Sequence, residues 1–185
     1  MTASSEATRY NPPARFFHWL TVVCVLAAWT LGIFGDDLPR GPIRHTGEFV
    51  HILLGETVVL LLILRLVWRF IAPAPLLEPT NFGFAGALAT RIVHLMLYGL
   101  LLAVPVVGVV TLFHGGEALP LYGVYDIPSP WPKNRELKHD SKEIHEFLAH
   151  SLIILTLLHA AAALVHHYVL KDGVLRRMLP ALSQR

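Results

Sequence analysis

Two histidines in one apolar stretch give the first indication of chemistry. His145 and His159 are fourteen residues apart, which in a helix is about 21 Å of rise and close to four whole turns, so both imidazoles leave the same side. Five of the eleven histidines, His18, His51, His94, His145 and His159, fall inside long apolar runs. An ionisable side chain there is costly and is a functional candidate by default. A lone histidine of this kind could do no more than hydrogen-bond a neighbouring helix. A pair at two depths on one helix instead offers one ligand near each face of a bilayer. His18 opens the first run and His51 the second, and the two runs cross in opposite directions, so depth pairs His18 with His159 and His51 with His145. Two bis-histidine pairs suit two stacked haems b, each taking an imidazole on both axial faces. Zinc is suited less well, because a structural site needs four nitrogen or sulfur ligands around one point. Each level offers two unless His94 or Glu56 is recruited.

The residues nearby fit the same chemistry. Gly55 stands at i+4 from His51, where a missing side chain lets a flat macrocycle approach the backbone. The alanines at 160–163 do the same after His159; close helix packing through small residues is the plain alternative for both. His94 matches His18 in depth, so it is either a rival axial ligand or a hydrogen-bonding neighbour of the haem. Arg65 and Arg69 are read as snorkelling to the interface, with propionate pairing as the alternative. Glu56 is the one carboxylate well inside a run, a partner in a proton path or a residue facing a polar cleft. Pro105 is expected to kink its helix. His45, His114 and His139 are read as solvated loop residues, and His150 lies off the His145/His159 face. His166, with His167 beside it, could hydrogen-bond a quinone carbonyl, or both could be interfacial polar residues.

The elements that must position these groups follow from composition. The 185 residues are 54% hydrophobic and 15% charged, with a mean hydropathy of +0.54. That excludes an ordinary soluble domain and makes lipid the expected solvent and partner, with no nucleic acid. Four apolar runs, 16–34, 49–71, 91–113 and 144–170, are each long enough to cross a hydrocarbon core, which takes about 20 helical residues. The expected fold is all-α: an integral membrane four-helix bundle over 16–170 with two haems b stacked across the membrane. Residues 1–15 and 171–185 are expected to be cytoplasmic tails, the first uncleaved, since it has neither a basic n-region nor a cleavage site. Cys24 is the single cysteine, so there is no disulfide framework and no CxxCH for covalent haem.

Orientation comes from the basic residues. With the N-terminus inside, the inner segments hold nine Lys and Arg against Glu6, Glu78 and Asp172, while the outer loops hold six against nine acidic residues, a net −3. The bias places both termini in the cytoplasm. Trp19, Trp68, Trp131 and Tyr168 near the span ends are expected as interfacial anchors.

The motifs RFFHWL, VHILLG, HLMLYGLLLAVPVVG, IHEFLAH and above all LHAAAALVHHYVLKDGVLRRMLP resemble the bacterial cytochrome b561 family. The likeness runs from about Arg15 to Pro180. It is nearest to the small stand-alone members that pass electrons from superoxide to ubiquinone. By matching motif the resemblance implies that His18, His51, His145 and His159 ligate two haems b, the four that depth and spacing select. It also implies a bacterial inner-membrane location and a superoxide:ubiquinone oxidoreductase activity. A superoxide collector should carry a positive funnel on its outer face, which the net −3 opposes unless Arg40, Arg44, Lys133, Arg135, Lys138 and Lys142 cluster around an opening. Two other functions are compatible with the residues. One is a cytochrome b subunit relaying electrons between a partner redox protein and quinone; the other is a histidine-based metal-ion transporter using Glu56.

Overall fold

In a computed structural model, which describes residues 10–72 and 83–179, the chain forms four long helices. They are α1 (Pro12–Phe34), α2 (Pro42–Ile71), α3 (Gly83–His114) and α4 (Arg135–Tyr168). Short 3-10 turns follow at Gly35–Asp37 and Leu175–Arg177. Between α3 and α4 an antiparallel hairpin pairs β1 (Leu119–Leu121) with β2 (Tyr125–Ile127), Leu119 opposite Ile127 and Leu121 opposite Tyr125. All four helices are long and apolar enough to cross a membrane, and the molecule is a membrane helical bundle. The hairpin is an addition outside that all-α body.

The helices overrun the expected spans because an apolar run ends where hydrocarbon ends, whereas a helix ends at its cap. α1 starts at Pro12, whose ring has no N–H to leave unpaired, and the Asn11 side chain accepts from the Ala14 N–H at 3.3 Å. α2 starts at Pro42 after Gly41, whose φ of 104° suits glycine. α4 starts at Arg135 instead of 144: Asn134 accepts from the N–H groups of Glu136 and Leu137 at 3.0 and 3.1 Å, which caps a polar stretch that was expected to be loop. α3 begins at Gly83, before the expected 91, and runs through Pro105. α4 closes at Tyr168, ahead of 170. Residues 12–15, expected in a tail, belong to α1. Glu6, Arg9, Glu78, Pro180 and Arg185, used in the charge count or the resemblance, lie outside the described residues.

α1 packs along α2 and α3 along α4, with α2 against α3 joining the two pairs. The core is thin: Cys24 and Val25 from α1, Val58, Leu61 and Leu62 from α2, Leu101 from α3, Leu152 and Ile153 from α4. Large apolar side chains such as Phe70, Leu95 and Leu157 point outward, which costs little where the surroundings are as apolar as the side chains. Hydroxyls inside the spans bond their own helix: Thr21 donates to the Phe17 carbonyl (2.7 Å) and Thr57 to that of Leu53 (2.8 Å), so neither faces lipid unpaired.

Both ends of the bundle are tied. At the end carrying the termini, Trp68 Nε1 donates to Asn11 Oδ1 (2.8 Å), Trp19 Nε1 to the Met178 carbonyl (2.9 Å) and an Arg15 guanidinium N–H to the Leu179 carbonyl (2.9 Å). Residues 173–179 therefore form a strap under the start of α1. Trp19 and Trp68, expected as interfacial anchors, spend their N–H groups inside the protein. At the opposite end the hairpin is clasped onto α2. Glu56 Oε2 accepts the Tyr122 N–H at 2.9 Å, and Phe49 packs against Gly123, which shares the positive φ (67°) that Tyr122 takes at 48°.

Candidate haem-binding sites

All five histidines within the expected spans are half-buried, and the four helices bring them together at two levels. At the hairpin end, His51 of α2 and His145 of α4 face each other with ring centroids 6.1 Å apart. At the termini end, His94 of α3 and His159 of α4 do the same at 5.2 Å. His18 of α1 lies within electrostatic reach of Arg65, His159 and His94, which makes the second level a cluster of three histidines.

The hairpin-end pair fits a haem on its donor set. His51 Nδ1 lies 2.8 Å from the Ala28 carbonyl of α1, and His145 Nδ1 lies 3.0 Å from the Val104 carbonyl of α3. A carbonyl oxygen can only accept, so Nδ1 carries the proton in each ring and Nε2 keeps the lone pair a metal needs. With metal–imidazole bonds of about 2 Å on both axial faces, ring centroids would stand roughly 6 Å apart, close to the separation observed. A Cβ on Gly55 would meet nothing within 4 Å among the described residues, which leaves that stretch of α2 open to a flat ligand. At the termini end His94 Nδ1 bonds the Thr90 carbonyl of its own helix at 2.6 Å, which likewise leaves the lone pair on Nε2, while the 5.2 Å between the His94 and His159 centroids is closer than a metal bound between those two rings would set. The donor set there also fits, with three candidate imidazoles for two axial places. Among the described residues, no group of three or more His, Cys, Asp or Glu is placed to hold a metal ion by itself.

Several other residues fall differently from expectation. Arg65 does not snorkel: its guanidinium carbon lies 5.4 Å from the Tyr98 ring centroid, half-buried and in reach of His18 and His159. Arg69 is exposed. His45 and His139 belong to α2 and α4, not to loops, beside Glu48 (3.7 Å) and Glu143 (3.2 Å). His114 ends α3, lies 3.2 Å from the Ser141 hydroxyl and stacks on Trp131 at 5.0 Å, so it is not simply solvated. His150 turns toward α1, its ring 6.2 Å from that of Trp29. His166 Nδ1 meets Asp172 Oδ2 at 2.5 Å, whereas the buried His167 Nδ1 has no hydrogen-bond partner among the described residues.

Three of the six basic residues of the hairpin end are engaged by carboxylates. Lys138 pairs with Glu117 at 2.6 Å; Lys142 reaches Asp36 at 3.4 Å and Glu146 at 3.6 Å; Arg44 also holds Asp36. Sequence reasoning missed Gly32 and Gly108, which lie directly against the His51 and His145 rings. No pattern within α1 or α3 marks them, because each facing ring comes from another helix.

The family profile described as "Prokaryotic cytochrome b561" matches residues 9–181. "Cytochrome b561 homolog 2" of Escherichia coli (strain K12) is 29% identical over 180 residues, 97% of this chain and 95% of its own. "Probable superoxide oxidase CybB" of Yersinia pestis is 31% identical over 163 residues, 88% of this chain and 91% of its own. "Cytochrome b562" of Cereibacter sphaeroides is 29% identical over 170 residues, 88% and 89% of the two chains.

Proposed function

Since the chain belongs to the prokaryotic cytochrome b561 family and is therefore a membrane electron-transfer protein for which haem b is implied, we propose that it carries two haems b and passes electrons from superoxide to ubiquinone. His51 and His145 hold the haem at the hairpin end, His18 and His159 the one at the termini end, with His94 as a hydrogen-bonding neighbour of the latter. The observation that carries the reading is that α4 sets one histidine at each end of the bundle beside histidines from other helices, His145 by His51, and His159 by His94 with His18 in electrostatic reach. When bound, the haems supply one-electron carriers whose filled axial positions keep dioxygen off the iron.

The excess of basic residues on the termini side supports a cytoplasmic position for that end, and with a bacterial inner membrane it would leave the hairpin end in the periplasm, where superoxide would be met. Each superoxide gives up one electron and leaves as dioxygen; two electrons and two protons convert one ubiquinone to ubiquinol. At the termini end Asp172 accepts from His166 Nδ1 at 2.5 Å, which leaves Nε2 as the ring nitrogen of His166 that would hydrogen-bond a quinone carbonyl. The name of the Yersinia pestis relative supports the choice of superoxide.

A second reading, a cytochrome b subunit that relays electrons between a partner redox protein and quinone, is favoured by the engagement of Lys138, Lys142 and Arg44 with carboxylates, which weakens an anion funnel. Oxidised and reduced spectra of detergent-purified protein, with a haem-to-chain ratio, test the cofactor; a chain without haem bands returns the question to metal-ion transport. Reduction by superoxide and reoxidation by a ubiquinone analogue, with no other protein present, test the activity. Co-purification of a partner together with no turnover alone would establish the relay instead.

A further inference from the structure

The two histidines at the hairpin end are braced in the same way from opposite sides. His51 reaches from α2 to the Ala28 carbonyl of α1, and His145 from α4 to the Val104 carbonyl of α3, at 2.8 and 3.0 Å. Each carbonyl belongs to the residue four positions before a glycine, Ala28 before Gly32 and Val104 before Gly108. A helical Cα–Cβ bond tilts toward the N-terminus, so the side chain at i+4 normally stands over the carbonyl of residue i. That oxygen keeps its helical N–H bond and still has a second lone pair to offer, but only an uncovered one can be reached from another helix. A Cβ on Gly108 would lie 3.0 Å from His145 Cε1 and 3.3 Å from its Nδ1; one on Gly32 would lie 3.4 and 3.8 Å from the same atoms of His51.

We propose that Gly32 and Gly108 are positioning residues: each uncovers a helix carbonyl for one histidine of the hairpin-end pair and so fixes Nδ1 as its protonated nitrogen and Nε2 as its metal-facing one. The proposal rests on the haem reading and goes beyond it. Rotamer and tautomer of both ligands are set by neighbouring helices before any ligand binds. A carbonyl accepting from Nδ1–H makes the imidazole a more basic ligand, which favours the ferric state and lowers the potential of the haem it holds. His94 at the termini end is held differently, by a carbonyl of its own helix, with Thr90 and His94 themselves at the i and i+4 positions.

The test is Gly108→Ala in the haem-loaded protein, read by ferric EPR and by potentiometric titration of each haem. The signal missing from His145→Ala identifies the hairpin-end haem. Alanine raises helix propensity, so α3 keeps its form while the His145 ring is pushed off Val104. The expected result is an altered g tensor and a raised midpoint for the hairpin-end haem alone. The electron distribution between the two haems should change about tenfold, which is about 59 mV for a one-electron couple. Selective loss of that haem supports the proposal equally, since a merely structural glycine would not single out one site. A haem-replete variant with unmoved g values and midpoint overturns it. If Gly108→Ala loses both haems, Gly32→Ala takes the decision: a smaller shift in the same direction supports the brace, and an unmoved hairpin-end signal overturns it. A wild-type chain without haem bands would overturn the haem reading beneath it, which is a different and separately visible failure.

Discussion

The imidazoles of His94 and His159 face each other across α3 and α4 with centroids 5.2 Å apart, while His18 approaches the same pair from α1. On the two-haem reading three rings thus compete for two places, and the family resemblance, not spacing along the chain, assigns the second to His18. Replacing His18 or His159 by Ala should each remove one haem of two, and His94→Ala should keep both while moving the termini-end potential. Haem-to-chain ratios decide it: a one-haem His94→Ala protein beside a two-haem His18→Ala protein would make His94 the ligand.

Arg65 gives the termini-end site a nearby cation that acts on His18 and His159, whereas the charged side chain acting on His145 beside His51 is Glu146. A fixed positive charge in a poorly solvated bundle stabilises the reduced, less positive iron. Arg65→Gln should therefore lower the termini-end midpoint by a tenfold change in its one-electron equilibrium, about 59 mV, with little effect at the other haem. Arg65→Lys should fall between the two, since it keeps the charge but not the plane that lies over Tyr98. Equal shifts at both haems would mean that the arginine acts only through bundle stability.

The membrane spans were legible in the sequence because lipid imposes a strong code of long apolar runs, and the cost of ionisable side chains at that depth singled out the histidines that the helices gather at two levels. Positions set by contacts between helices were not legible. Nothing in the run around Gly108 announces that its missing side chain opens the Val104 carbonyl to His145, because the partner is 41 residues away. The start of α4 was missed for a different reason: a polar stretch carries no hydropathy signal, although Asn134 ahead of Glu136 was a readable cap. The strap beneath α1 rests on backbone carbonyls of Met178 and Leu179, which every residue type possesses and no sequence pattern marks.

Asp172 anchors that strap, accepting from His166 at 2.5 Å and from the Val174 N–H at 3.1 Å. Burial by itself would raise its carboxyl, but the hydrogen bonds from His166 and Val174 and the charges of His166 and His167 outweigh it and hold the group below its ordinary value. A depressed carboxyl stabilises the fold fully above its ordinary value, and that contribution is lost as pH falls through the lower, folded one. Protease sensitivity of the C-terminal segment should stay low from neutral pH to about pH 4 and rise below it. Asp172→Asn should be sensitive throughout and nearly independent of pH in that range. A variant with the wild-type acid profile would show that the anchor lies elsewhere.

Turnover tests the electrostatics of the hairpin end. If superoxide is the donor, the rate of haem reduction should fall as salt rises, because screening shortens the reach of a basic surface to about 8–10 Å near physiological ionic strength. The residues are unequal in this. Lys138 is neutralised by Glu117 at 2.6 Å and Lys142 shares Asp36 with Arg44, so their outward fields are small. Replacing Arg135 and Lys138 together should slow haem reduction while leaving haem content intact, with Arg135 supplying most of the loss. Glu117→Gln provides the sharper test, since it frees the Lys138 charge without adding a residue to the surface. It should speed reduction severalfold at low salt, with the gain vanishing at high salt. A wild-type rate that rises with salt, together with a Glu117→Gln variant no faster than the parent, would mean that the net −3 of this face repels the anion and that electrons enter from a docked redox protein.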